Sequence, residues 1–331
     1  MMRQTIAVGT VGADLRLRFL ALGIVCAATI AEAPKSYAYD LPVVNLGMTT
    51  FLDGTPTMGG PGWYTSQWII SYSANKLANS QGNSLGLPVE RVSVMSEATQ
   101  ILYLSPTKVG PGSFGFDFVV PSVFGASAND GLGNQVLNAN RGFADVSFGA
   151  FYQFDPIMGP NGPLFIGRIE AQALAPIGRY NAAVAVNPGS NFWSFNPYFA
   201  GTLFLSPKWT VTTRFHYLWN GENNDPSLSY GPSALTSQAG QALHANFSTE
   251  YAVTDKFWLG INGYWLQQMT NTKVNDISVD GTKERVWALG PGMMYAFNKD
   301  NYLFFNAFYE FGAVNRTQGQ KYMMRYVRHW D

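Results

Sequence analysis

Arg214 and His216 stand two residues apart in Trp209-Thr210-Val211-Thr212-Thr213-Arg214-Phe215-His216-Tyr217-Leu218-Trp219, and Arg168 and Glu170 repeat that spacing upstream. A spacing of two places both side chains on one face of an extended strand. Downstream, His244, Asn246, Ser248 and Glu250 follow the same period. His216 and His244 flank the same long connection, which predicts similar heights on neighbouring antiparallel strands. Two imidazoles there could ligate a metal or titrate as a gate. No third ligand follows from the spacing, so the expectation is a hydrogen-bonded polar pair, with no metal and no cofactor. Nucleophilic catalysis fares no better. His244 and Ser248 share a face, but four residues of strand separate them by roughly 13 Å, beyond the reach a Ser–His pair needs. The chain does not read as an enzyme.

The elements that position these residues are twelve stretches of alternating apolar and polar side chains, at about 62–76, 90–104, 113–123, 142–154, 164–176, 192–205, 209–219, 241–251, 257–269, 284–297, 302–313 and 321–330. Each is long enough for a tilted membrane crossing, which takes ~9–11 residues. In the clearest stretch Trp209, Val211, Phe215, Tyr217 and Trp219 form one face, with aromatics at both ends. That is the outward pattern of a transmembrane strand with interfacial girdles. Tight turns of Pro, Gly, Asn and Asp alternate with long Asn/Gly/Ser-rich connections, as periplasmic turns alternate with outer loops. The connection at 155–163 is long for such a turn and 314–320 is short for an outer loop. The expected fold is an all-β, antiparallel outer-membrane barrel of about twelve strands, or fourteen if Val43–Leu52 also pairs.

Composition supports a membrane environment. Only 13% of residues are charged against 47% hydrophobic and 15% aromatic, about half the charge of soluble domains. No apolar stretch after the leader is long enough for a spanning helix, and a closed sheet is the other way to satisfy backbone groups in lipid. The formal net charge is zero, which gives no basis for a nucleic-acid partner. Residues 1–38 read as a secretory signal: Arg3, Arg16 and Arg18 precede an apolar core from Phe19 to Ile30, and Ser36-Tyr37-Ala38 offers small residues for cleavage. Cys26, the one cysteine, lies inside it. Residues 39–61 read as a periplasmic linker or a plug, and 62–331 as the barrel. The expected location is the outer membrane of a Gram-negative cell, in contact with its lipids.

The inward face then carries a polar set of Asp145, Arg168, Glu170, Arg214, His216, His244, Asn246, Glu250, Asn262 and Glu310. These charges avoid the ~2–4 kcal/mol that a lipid-facing Arg or Lys costs at mid-bilayer. They either fill a narrow interior or line a path. Phe204, Trp258, Tyr264, Phe304 and Phe308 interrupt that face with aromatics. Aromatic and polar lining together suits an apolar ligand oriented by a few polar contacts, although side chains could also simply fill a barrel of this size. Met324, Tyr326 and Trp330 share a face of the last stretch and approximate the terminal aromatic signal read by barrel-assembly machinery, with Arg328 and Asp331 interrupting it.

Several segments resemble the phenol meta-pathway degradation proteins. They are Gly62-Trp63-Tyr64 with Ser71-Tyr72-Ser73-Ala74-Asn75, the run Ala171-Gln172-Ala173-Leu174-Ala175-Pro176-Ile177-Gly178-Arg179-Tyr180, Asn196-Pro197-Tyr198, Gly221-Glu222-Asn223-Asn224-Asp225-Pro226, and Ser237-Gln238-Ala239-Gly240. The resemblance spans roughly residues 60–330 and brings no catalytic residues with it. It implies an outer-membrane barrel linked to aromatic catabolism, with passive uptake of hydrophobic or aromatic small molecules. A structural or adhesive barrel with a sealed lumen, and a general porin, are the alternatives.

Overall fold

The computed structural model describes residues 40–55, 59–132 and 137–330. The expected leader at 1–38, with Cys26, lies outside the described residues. Twelve antiparallel strands form the barrel. They are β1 (Gly62–Leu77), β2 (Arg91–Lys108), β3 (Gly112–Asn129), β4 (Val146–Phe154), β5 (Gly162–Ala175), β6 (Tyr198–Ser206), β7 (Trp209–Asn220), β8 (Ala242–Thr254), β9 (Phe257–Gln268), β10 (Arg285–Asn298), β11 (Asn301–Val314) and β12 (Thr317–Trp330). Each pairs with its sequence neighbour, and β1 pairs with β12 from Trp63↔Trp330 to Leu77↔Thr317. That last pairing closes the sheet and removes both edges, so no strand is left with unpaired backbone groups facing lipid. In β7 exposed and buried residues alternate without a break.

Four connections, at 109–111, 207–208, 255–256 and 299–300, are tight turns. Their chemistry is local. Ser206 Oγ accepts from the Trp209 amide at 3.1 Å, Thr254 Oγ1 from Lys256 at 3.2 Å, and Asn298 Oδ1 from Asp300 at 2.9 Å. Such side-chain-capped turns reverse the chain with few residues. The connection at 155–163 stays on this end because Ile157–Gly159 folds back onto the start of β5. The opposite end carries the long connections 78–90, 130–145, 176–197, 221–241 and 269–284, together with the two-residue turn Asn315-Arg316. Asn315 takes φ 52 there, a left-handed conformation that Asn tolerates.

Aromatic side chains ring the outside at both ends. On the short-turn side Trp63 contacts Tyr103 and Phe116, with centroids at 4.8 and 5.6 Å, and the Trp330 indole donates to Thr65 Oγ1 at 3.0 Å. On the long-loop side Trp265 and Trp287 pack at 5.6 Å, with Trp193 and Trp219 exposed nearby. Ile69, Ile169, Leu203, Val211, Ile261 and Leu289 are exposed between the girdles. The exterior is that of a barrel solvated by lipid.

Residues 40–55 run through the interior. The Asp40 and Leu41 amides face Glu284 Oε1 at the long-loop end, at 3.3 and 3.4 Å. Further down, the Gly47 amide donates to Asn246 Oδ1 at 2.7 Å and the Leu52 amide to Glu250 Oε1 at 2.9 Å. The Gly54 amide reaches Thr202 Oγ1 at 3.0 Å, and the Gly54 carbonyl accepts from Gln153 at 3.0 Å. Gly59 lies against the His329 ring at the short-turn end. Val43–Leu52 therefore adds no thirteenth or fourteenth strand. A closed sheet offers it no edge, so its backbone groups bond to lumen side chains instead.

Several boundaries differ from the sequence expectation: β2 and β3 run on to Lys108 and Asn129, and β12 starts early, at Thr317. β4 starts at Val146, with Gly142–Phe143 only bridged to Ser122 and Val123. Asp145 consequently sits in the outer connection and is not a strand residue. Its carboxylate accepts from the Gly178 amide at 3.0 Å and the Ser190 amide at 2.7 Å, tying two outer connections together. β6 starts at Tyr198, after Pro197, which has no N–H to give to a ladder.

Candidate functional site

Two cavities in the lumen are lined in part by the inner segment. The upper one, of about 270 Å³, opens between the outer connections, with Leu41, Val44, Leu46 and Met48 of the segment facing Ile70, Val92, Val94 and Val123 of the wall. Tyr72, Glu310, Arg316 and Lys321 add polar groups to its rim and floor. The lower one, of about 60 Å³, lies among Asp53, Arg168, Arg214 and Arg325, with Phe51, Leu102, Met294 and Phe304 as its apolar walls. Between them three strands grip the segment. Lys321 Nζ of β12 donates to the Leu46 carbonyl at 2.9 Å, Asn246 of β8 takes the Gly47 amide, and Trp68 Nε1 of β1 donates to the Met48 carbonyl at 2.9 Å. Gly47 adopts φ +78, and a Cβ there would come within 2.7 Å of Phe308 Cζ. Only glycine passes at this narrow point.

Arg168, Glu170, Arg214, His216, His244, Asn246, Glu250, Asn262 and Glu310 are all buried inside the barrel. The structure sorts them into groups. Arg214 binds Asp53 through Nε at 2.5 Å and Nη2 at 2.7 Å, with Arg168 Nη2 3.6 Å from the same carboxylate. Glu170 accepts from the Tyr198 hydroxyl at 2.5 Å and from Gln172 at 3.3 Å. Asn262 Oδ1 accepts from Asn306 at 2.6 Å. Glu310 takes the hydroxyls of Tyr72 and Tyr264, at 2.8 and 2.7 Å. His216 and His244 are register partners on β7 and β8, their rings stacked at 4.1 Å. His244 Nε2 pairs with Asn196 Oδ1 at 3.0 Å. Among the described residues no three His, Cys, Asp or Glu side chains cluster as metal ligands. Ser248 Oγ donates to Glu250 at 2.9 Å, so it is engaged away from His244.

Tyr264, Phe304 and Phe308 are fully enclosed, whereas Phe204 and Trp258 are half-buried towards the short-turn end. Phe308 packs at 5.1 Å on Tyr264 beside the narrow point, and Phe304 carries the Arg325 guanidinium at 3.9 Å.

Sequence reasoning passed over Asp53, Trp68, Lys321 and Arg325. The last two were legible. With Met324, Tyr326 and Trp330 turned outward, period two turns Lys321, Met323, Arg325, Val327 and His329 inward; the last four are buried and Lys321 is half-buried. Asp53 and Trp68 gave no such signal, because their roles come from contact between the inner segment and distant strands.

At the long-loop end Asp40 accepts from the Tyr230 hydroxyl and, at 3.1 Å, from Thr272 Oγ1. Glu284 holds the Asp40 and Leu41 amides and approaches Arg316 Nη1 at 3.5 Å. Burial pushes the Asp40 carboxyl from 3.8 up to about 6, against the hydrogen bonds of Tyr230 and Thr272. Burial likewise raises Glu284 from 4.5 to about 7, opposed by Arg316 and helped by Asp40. A carboxyl whose pKa is raised when seated keeps protons that the released segment would lose. Attachment of residue 40 is thus strongest below the ordinary carboxylate range and weakens as pH climbs through about 6 and then about 7. The protection factor of the Leu41 amide should fall between about pH 4 and about pH 7, while that of Gly47, held by the neutral Asn246, stays level. A Leu41 value that is flat with pH would contradict this.

A search of curated proteins finds no match. An outer membrane channel from Pseudomonas putida F1 superposes with a TM-score of 0.71 at 16% identity, covering 83% of this chain and 97% of that one. At that identity the likeness is one of fold. The TodX monoaromatic hydrocarbon channel, as a deltaS2 mutant, reaches a TM-score of 0.43 at 8% identity over 84% of this chain and 91% of its own. The translocator domain of the autotransporter NalP from Neisseria meningitidis reaches 0.46 at 11% over 82% and 89%. Neither of the latter two is close enough to argue from. The model of the family described as "Putative MetA-pathway of phenol degradation" matches residues 74–326, from the end of β1 into β12, and this twelve-stranded barrel with its threaded lumen belongs to that family.

Proposed function

We propose that the protein is an outer-membrane channel for passive uptake of small hydrophobic and aromatic molecules, in which residues 40–55 act as the plug. The carrying observation is the cavity of about 270 Å³ at the long-loop end, walled on one side by Ile70, Val92, Val94 and Val123 and on the other by the plug's own Leu41, Val44, Leu46 and Met48. An apolar wall with a few polar groups on its floor suits an apolar solute. Because half of that wall belongs to the plug, a solute that enters presses on the element that closes the path. The family's description, which names phenol degradation, supports an aromatic solute. The chemistry needs no cofactor, no metal and no covalent step, and the aromatic exterior suits outer-membrane lipid, with Trp330 near the end that assembly machinery would read.

The test is uptake of a radiolabelled aromatic panel by cells with and without the gene, beside single-channel conductance of the purified barrel. Selective loss of uptake with little ion conductance supports the proposal. Large unselective conductance would make the protein a general porin. No loss of uptake together with no conductance would leave a sealed structural or adhesive barrel.

A further inference from the structure

The lower cavity holds more cation than it neutralises. Arg168 of β5, Arg214 of β7 and Arg325 of β12 line it, and the one carboxylate lining it is Asp53 of the plug. Arg214 takes both Asp53 oxygens in a fork. Arg168 stands 3.6 Å from one of them, and its Nε has no hydrogen-bond partner among the described residues. Arg325 is only 7% exposed. Its guanidinium lies over the Phe304 ring at 3.9 Å and near Trp68 at 5.8 Å. Among the described residues it has no carboxylate within ion-pair distance, and its Nε too is without a partner. Glu170 and Asp117 stand outside the cavity lining, bonded to Tyr198 and to Gln100 at 2.5 and 2.8 Å; they act electrostatically on Arg214 and Arg168 and leave Arg325 without a carboxylate at ion-pair distance.

A buried guanidinium with no counter-ion is expensive, and a fold that keeps one beside a cavity has a reason to admit an anion. The cavity of about 60 Å³ is several times the roughly 10–15 Å³ that one water needs. It accommodates a carboxylate head, and withdrawal of Asp53 adds the space of that side chain. Phe51, Leu102, Met294 and Phe304 offer an apolar surface beside the charge. Arginine forks match planar carboxylates, and the built-in occupant is itself one.

We propose that Arg168, Arg214 and Arg325 form a binding site for the carboxylate of a small aromatic acid, and that such an acid competes with Asp53 for it. Asp53 is the resident stand-in for the ligand. A carboxylate arriving at Arg325 and Arg168 weakens the hold of Arg214 on Asp53 and so favours withdrawal of the plug. That consequence for passage rests on the channel reading above, whereas the binding site does not.

The test is calorimetric titration of the full mature chain in detergent with benzoate and with its neutral isostere benzamide. Wild-type protein should bind benzoate and not benzamide. Asp53→Asn removes the competing charge and should tighten benzoate about tenfold, and Arg325→Met should weaken it about tenfold in either background. Circular dichroism of each variant confirms a folded barrel, and Arg325→Met in the wild-type background keeps the test decisive if Asp53→Asn does not fold. Benzamide binding as tightly as benzoate, or benzoate affinity indifferent to Arg325→Met, overturns the proposal. Those results would leave uptake of neutral aromatics untouched. Benzoate binding without any aromatic uptake would instead sink the channel reading alone.

Discussion

Deleting residues 40–55 should convert the barrel into an open pore, with single-channel conductance rising about tenfold or more. The deletion removes the one chain segment described inside the barrel, and with it the narrow point where Lys321, Asn246 and Trp68 hold Leu46, Gly47 and Met48. The two cavities would then merge into one passage. The barrel itself should survive, because none of its strands pairs with the segment and β1 closes on β12 without its help. Asn246, Glu250 and the arginines would exchange plug contacts for water, which satisfies polar groups at little cost once the lumen is wet. Planar-bilayer recording checks it. A deleted barrel that is folded yet still closed would show that lumen side chains, not the plug, block the path.

Replacing Arg214 with Met should unseat the lower half of the plug. Asp53 would lose both of its short hydrogen bonds, 2.5 and 2.7 Å, and keep only Arg168 at 3.6 Å. Removing one partner of a buried pair costs about 3–5 kcal/mol, because the other charge stays buried without compensation. Since no barrel strand pairs with residues 40–55, that cost is expected to fall on the seating of the segment. The Leu52 and Gly54 amides, bonded to Glu250 and Thr202, should then exchange at least about a hundredfold faster. Adding Asp53→Ala should recover part of the protection, since the pair is then removed together. Unchanged exchange at Leu52 and Gly54 in Arg214→Met would mean that the fork does not hold the plug.

The strands were legible in the chain because each is written by a short-range rule. Trp209–Trp219 states its two faces by alternation, and the burial of β7 follows it residue by residue. Ser206, Thr254 and Asn298 mark their turns through hydrogen bonds that span only two or three residues. The neighbouring heights of His216 and His244 followed from strand order, and they are register partners. The same period applied to β12 would have added Lys321 and Arg325.

Tertiary structure decided the rest. Asp145 left its strand because β4 starts at Val146 and two outer connections hold its carboxylate. Nothing near Asp53 in sequence announces Arg214, 161 positions away, and nothing near Leu46 announces Lys321, 275 positions away. The alternation along a strand says which side chains face the lumen, since that depends only on the pleat. Which of them meet there, and what threads between them, depends on closure of the sheet and on where residues 40–55 come to rest, and no local pattern encodes either.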